Sequence, residues 1–227
     1  MKRLILCFIY LIFLSVSLRA EKNEGIAYRD SILILAESMP SDTARLAYLQ
    51  SMAYCHQYFP YNRYFATALY EEAKRQKNIF YENEGAYYLA GYYDKKHDPD
   101  SLTYWVNQLK ELVSGVGTYD YYLERKAAIG RALASKRMIE KAVHVTKEVL
   151  EEAIAHNSNN GKIAAYNSLG CAYSVSSRPE EALKVLMKAY HEFKPGTKPF
   201  LKVDILSRIT QVYGNGGDDK SKMPYLC

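Results

Sequence analysis

Apolar residues recur along the chain at steps of three and four, the period of helices with one buried face. The clearest stretch is Tyr166-x-x-Leu169-Gly170-x-x-Tyr173, followed by Ala182-x-x-x-Leu186-x-x-Ala189. It predicts a helix A and a helix B joined by a short turn. Gly170 and Ala182 are small enough to let the two helices approach closely, while the large residues fill the space around that contact. The same frame recurs with Lys126, Ile129, Gly130, Leu133, Ala142 and Val149, and before that with Ala86, Leu89, Ala90, Tyr93, Leu102, Val106 and Leu109. A weaker copy holds Ala53, Tyr54, Ala66, Tyr70 and Ala73, and Leu206, Ile209, Thr210 and Tyr213 begin another. The anchors fall at positions 54, 90, 130, 170 and 210, and in each complete unit helix B follows twelve residues later. One such match is weak evidence; four in register and a fifth begun are strong.

Local signals punctuate this pattern. Ser177-Arg178-Pro179-Glu180 reads as a capping box with proline in the first turn. Pro99-Asp100-Ser101 precedes the second helix B, and residues Asn157 to Gly161 make a polar break. Ahead of the first unit, Ile26 to Met39 reads as an amphipathic helix with Ile32, Leu35 and Met39 on one face, ended by Pro40-Ser41-Asp42.

The frame resembles the tetratricopeptide repeat (TPR), with a period of 40 in most units where the ordinary repeat has 34. The resemblance implies an all-α fold, a right-handed α-solenoid of about four full helix-turn-helix repeats plus a partial fifth. The units are 42–78, 79–117, 118–157, 158–196 and 197–227, with residues 21–41 as an N-terminal capping helix. Ala90, Gly130, Gly170, Ala142, Ala182 and Tyr173 take the repeat-packing positions. In TPR arrays helix A lines a concave ligand groove. Carried onto this chain, the groove positions are Tyr48, Ser51, Tyr58, Glu84, Tyr87, Asp94, Glu124, Arg131, Asn167, Ser174, Asp204, Ser207 and Gln211. That groove is aromatic and acidic at one end and polar at the other, which suits a basic or neutral ligand. The Lys and Asn clamp with which some TPR proteins hold a terminal carboxylate is absent, since its positions hold Ser51, Cys55, Tyr88, Glu124 and Ala128.

Residues 1–20 change the picture of location. Met1-Lys2-Arg3 is a short basic start, Leu4 to Leu18 is apolar, and small residues precede two candidate cuts, the layout of a secretory signal. The apolar run is shorter than the roughly 20 residues a span needs. The expectation is an exported, periplasmic chain. Removing the leader takes away Lys2, Arg3 and Arg19 and leaves 27 basic against 25 acidic residues, so charge gives no argument for nucleic acid. Cys55, Cys171 and Cys227 remain, an odd and widely spaced set that makes no disulfide framework. Cys55 and Cys171 are expected to be buried thiols.

Candidate chemistry is sparse. His56, His97, His144, His156 and His191 do not stand at metal-binding spacing with one another or with a cysteine. Cys55 and His56 are adjacent, and neighbours on a helix point about 100° apart. Residues Gly214 to Gly217 with Lys220-Ser221 lack the spacing of a phosphate loop. No catalytic residue, metal ligand or cofactor is therefore assigned. The outlier is tyrosine, 22 against 7 Phe and 1 Trp, which fits either packing within the repeats or an aromatic lining for a ligand.

The expectation is a non-enzymatic exported protein that binds a protein or peptide partner in its groove. Leader, repeat frame and the half repeat from Asp218 to Cys227 together resemble the periplasmic TPR regions of membrane-bound bacterial regulators and sensor kinases. That resemblance implies a sensory input part whose membrane tie is an uncleaved leader or a continuation past Cys227. The alternative is a free-standing periplasmic scaffold binding a glycan or protein partner.

Overall fold

The computed structural model describes residues 25–56, 61–116 and 119–215. The leader, Tyr58 and the half repeat from Asp218 to Cys227 lie outside them. The described residues form helices joined by short turns, with no strand among them. Helix α1 covers residues 25–38. It is followed by α2 (Thr43–Cys55), α3 (Asn62–Arg75), α4 (Ile79–Lys95), α5 (Pro99–Val116), α6 (Tyr119–Ser135), α7 (Ile139–Ala155), α8 (Asn159–Val175), α9 (Pro179–His191) and α10 (Pro199–Asn215).

From α4 to α10 the helices start at residues 79, 99, 119, 139, 159, 179 and 199, a step of 20. One turn chemistry sets much of this rhythm. Lys77, His97, Arg137, Asn157 and Ser177 each adopt a left-handed conformation, with φ between 50° and 62°. The next amide then reaches back five residues. Asn78 N–H donates to Ala73 O at 2.9 Å, Asp98 to Tyr93 at 3.1 Å, Met138 to Leu133 at 3.0 Å, Ser158 to Ala153 at 2.8 Å and Arg178 to Tyr173 at 2.9 Å. This six-to-one bond satisfies carbonyls that a helix end leaves open. Asn78, Asp98 and Ser158 then cap the following helices, their side chains accepting from the amides of Tyr81, Ser101 and Gly161.

Three local expectations are corrected here. Ser177 does not open a capping box: it is the left-handed residue of the turn, and Arg178 stands at the N-cap of α9 without a side-chain cap bond. Pro99, Asp100 and Ser101 do not precede α5 but form its first turn. The polar break is confined to the turn ahead of Asn159, so Gly161 lies buried inside α8.

Each helix from α2 to α10 packs on the next, and the even-numbered helices α2, α4, α6, α8 and α10 also pack on one another in series. One continuous apolar core results. Its odd-helix side includes Tyr70, Val106, Thr146 and Leu186, all buried, at successive steps of 36, 40 and 40 residues. Ala90, Ala142 and Ala182 are fully buried, and Tyr173 is half-buried beneath Arg178, whose guanidinium lies 4.7 Å from its ring centre. A β-carbon on Gly170 would stand 2.6 Å from Leu186 Cδ2, and one on Gly130 would collide with Thr146 Oγ1.

Helix α1 buries Ile32 and Ala36 in this core, with Leu33 against it. Leu35, expected on that face, is instead 53% exposed. Arg45 of α2 ties the end of α1 down by donating from Nε to Met39 O and from Nη2 to Glu37 O, both at 3.1 Å. The thiols are less buried than expected, Cys55 being exposed and Cys171 half-buried. No helix of the described residues is long and apolar enough to cross a membrane.

Candidate functional site

Helices α2, α4, α6 and α10 share a cavity of about 650 Å³, which is also lined by the first turn of α3. Helix α4 supplies Glu84, Tyr87, Tyr88, Gly91, Asp94 and Lys95, spaced by three and four so that they follow one side of the helix. Helix α6 supplies Tyr121, Arg125 and Arg131. Pro199, Phe200 and Asp204 of α10, with Lys198 just before it, close the far wall, and Tyr54 and Asn62 stand at the other end. Residues far apart in sequence meet because the even helices stack in series and the turn before α10 returns to α6.

Rings and cations interleave on the wall. The planes of Tyr87 and Tyr121 are tilted by 32° with centres 4.6 Å apart. The Arg125 guanidinium lies 3.9 Å over the Tyr87 ring, and Lys198 Nζ lies 4.3 Å over the Tyr121 ring. Both distances suit cation–π attraction. Arg131 donates to Asp94 Oδ2 at 2.9 Å, while Arg125 Nη1 is 4.0 Å from the same oxygen. Lys198 Nζ is 2.5 Å from Glu124 Oε1. Gln50 donates to Glu84 Oε2 at 3.0 Å.

Burial sets the titration of these groups. It pushes the Tyr87 phenol up to about 12, against the pull of Arg125 and with help from Glu124. It drives Tyr88 further up, with Glu84 adding to the shift. Tyr87 and Tyr88 therefore stay neutral hydrogen-bond donors at physiological pH. Burial works against the Arg131 charge, but Asp94 and Asp204 outweigh it and hold the guanidinium's pKa above its ordinary value. Lys95 is lowered by burial and then by the nearby Arg125 charge, against Asp94.

Of the groove positions carried over by resemblance, Glu84, Tyr87, Asp94, Arg131 and Asp204 meet on this one cavity. Glu124 lies behind it, only 5% exposed, and acts on it through Lys198. Asn167 is buried, off the cavity, with no hydrogen-bond partner for either amide atom. Tyr48 is half-buried, and Ser51, Ser174, Ser207 and Gln211 are exposed away from the cavity. The hydroxyls of Ser51 and Ser174 bond their own helices, at Tyr48 O and Gly170 O.

The expected acidic wall is corrected as well. Lys95, Arg125 and Lys198 bring cations that the sequence reading did not place there. Arg125 was legible in part, one helical turn after Tyr121 on the same side of α6. Lys198 gave no signal, because its place depends on a packing between turns far apart in the chain.

Among the described residues no group of three His, Cys, Asp or Glu side chains could hold a metal ion. The arrangement offers flat rings, fixed guanidinium groups and paired carboxylates, which are elements of recognition. No family model, curated protein or solved structure matches the chain.

Proposed function

We propose that the chain is an exported binding module of TPR-like repeats that takes a peptide segment of a partner protein into the cavity between α2, α4, α6 and α10. The observation that carries this reading is the wall of Tyr87, Tyr88 and Tyr121, with Arg125 and Lys198 laid over two of the rings. Tyr and Arg are the side chains most enriched at protein-binding hot spots, because they give large contact area together with hydrogen bonds. The repeat frame supports the TPR reading, and the basic–apolar leader supports export. A sensory input role within a longer regulator follows from the same resemblance.

The test is panning of the immobilised full-chain protein against a random heptapeptide library. The expected outcome is retention of a defined set of peptides that Tyr87→Ala no longer holds, at an unchanged helical circular dichroism signal. Absence of retention, or equal retention by the variant, rejects the peptide reading. N-terminal sequencing of the protein from fractionated cells tests export, with a periplasmic chain starting near residue 21 expected.

A further inference from the structure

The cavity holds one cation whose neutralisation is incomplete. Arg131 takes the Asp94 carboxylate at 2.9 Å, while Arg125 stands 4.0 Å from the same oxygen. The Nε of Arg125 is buried without a hydrogen-bond partner. A guanidinium has five donors in a planar fork and cannot lose its charge, so an under-used one in a half-buried pocket is an anion receptor awaiting its anion. Its geometry is already fixed. One face rests on the Tyr87 ring at 3.9 Å. Its edge meets Gly91, where a β-carbon would stand 2.7 Å from Nη2 and 3.0 Å from Cζ. Gly91 thus leaves room for the fork at a helix position where any other residue would push it aside. Lys95 and Lys198 line the same cavity, beside the carboxylates of Glu84, Asp94 and Asp204.

We propose that Arg125, seated between the Tyr87 ring and Gly91, is the anion-receiving group of this cavity, and that its ligand is a peptide bearing a carboxylate. This rests on the peptide reading above and reverses the ligand charge that the sequence implied. The carboxylate takes the Arg125 fork, and the neighbouring side chain lies against Tyr121 and Phe200. Gly91 is a positioning residue that acts through Arg125.

Two experiments on the full-chain protein separate this inference from the peptide reading. In the first, saturation-transfer NMR compares N-acetyltyrosine with N-acetyltyrosinamide, which differ in the carboxylate alone. The acid is expected to bind about 10- to 100-fold more tightly, the worth of a charge-assisted hydrogen bond. Arg125→Gln removes that preference and Arg125→Lys retains part of it. Gly91→Ala lowers it while keeping both the charge and the melting temperature, a result that loss of fold cannot produce. Equal binding of the two probes, or an unchanged preference in Arg125→Gln, overturns the inference. In the second, the heptapeptide library is panned with free and with amidated C-termini. Retention that needs the free terminus assigns the carboxylate to a peptide end, and enrichment of Asp or Glu in both sets assigns it to a side chain. Retained peptides rich in Lys or Arg overturn the inference and leave the peptide reading standing. An Arg125-dependent acid preference with no peptide retained does the reverse.

Discussion

Gly85 and Tyr70 bring α4 and α3 into backbone contact: a β-carbon on Gly85 would stand 2.8 Å from the Cα, Cβ and N of Tyr70. A main chain cannot rotate away as a side-chain tip can. Gly85→Ala is therefore expected to force the two helices apart. The gain in helix propensity is about 0.5–1 kcal/mol, and overpacking costs about 1–3 kcal/mol, so the net effect is destabilising. The atoms nearest a β-carbon on Gly91 belong to the Arg125 guanidinium, the movable end of a long side chain, so Gly91→Ala is expected to leave stability level or slightly raised. Urea denaturation of the two variants decides the matter, and equal midpoints would refute the backbone contact.

The turns offer the opposite opportunity. Lys77 holds φ at 54° although it carries a side chain, and left-handed backbone costs roughly 1–2 kcal/mol for such residues. Glycine removes that cost but adds freedom to the unfolded chain, which offsets part of the gain. Lys77→Gly is expected to stabilise the protein by about 0.5 kcal/mol, and Lys77→Val, with a branched β-carbon, to destabilise it. Thermal melts of both variants check the sign, and a lowered melting temperature in Lys77→Gly would contradict the assigned turn.

These turns also mark what the sequence made legible. Helical periodicity and the small residues at 130, 142, 170 and 182 revealed an all-helical chain with close helix contacts, because local spacing and local size encode both. The 20-residue step was harder to see. Its turns carry Lys, His, Arg, Asn and Ser where glycine would have announced them, so Ser177 passed for a helix cap. Gly85 was missed because it stands outside the repeated Leu-Gly position. In the cavity, Glu84, Tyr87 and Asp94 of α4 followed from the TPR resemblance, while Gly91 and Lys95 did not. Lys198 could not be read either, since its neighbours Tyr121 and Glu124 stand on a helix more than 70 residues earlier in the chain.

Glu72 is a buried carboxylate that the fold has fully partnered. It is 1% exposed and accepts from Ser41 Oγ at 2.5 Å and Gln76 Nε2 at 2.8 Å, with Arg45 at 3.4 Å and Arg75 in contact. Burial alone would raise its pKa, but the Ser41 and Gln76 hydrogen bonds and the two arginines bring it below the ordinary value. A lowered folded-state pKa means that the stabilisation is present above the unfolded value of about 4.3 and is lost as pH falls through the folded one. Glu72→Gln is expected to cost on the order of 2 kcal/mol at pH 7, because Arg45 loses its anion. The gap to the wild type should narrow as pH falls below about 4.3, and urea midpoints from pH 7 to pH 3 measure it. A gap that widens in acid would reverse the assigned shift.

Glu124 is its counterpart with the opposite sign. It is 5% exposed, its Oε1 meets Lys198, and its Oε2 is buried with no hydrogen-bond partner. Burial raises its pKa by more than Lys198 and Arg125 lower it. A raised folded-state pKa gives stability that is complete below the unfolded value of about 4.3 and is lost as pH rises through the folded one. Glu124→Gln removes this titration and keeps an oxygen for Lys198, whose own side chain is 25% exposed and so remains partly hydrated. The variant is therefore expected to gain on the wild type as pH rises from 4 to 8. Urea midpoints at pH 4, 6 and 8 give the slope. A wild type that gains on the variant with rising pH would show that Lys198 outweighs burial, and that the pair strengthens the wall of the cavity at neutral pH.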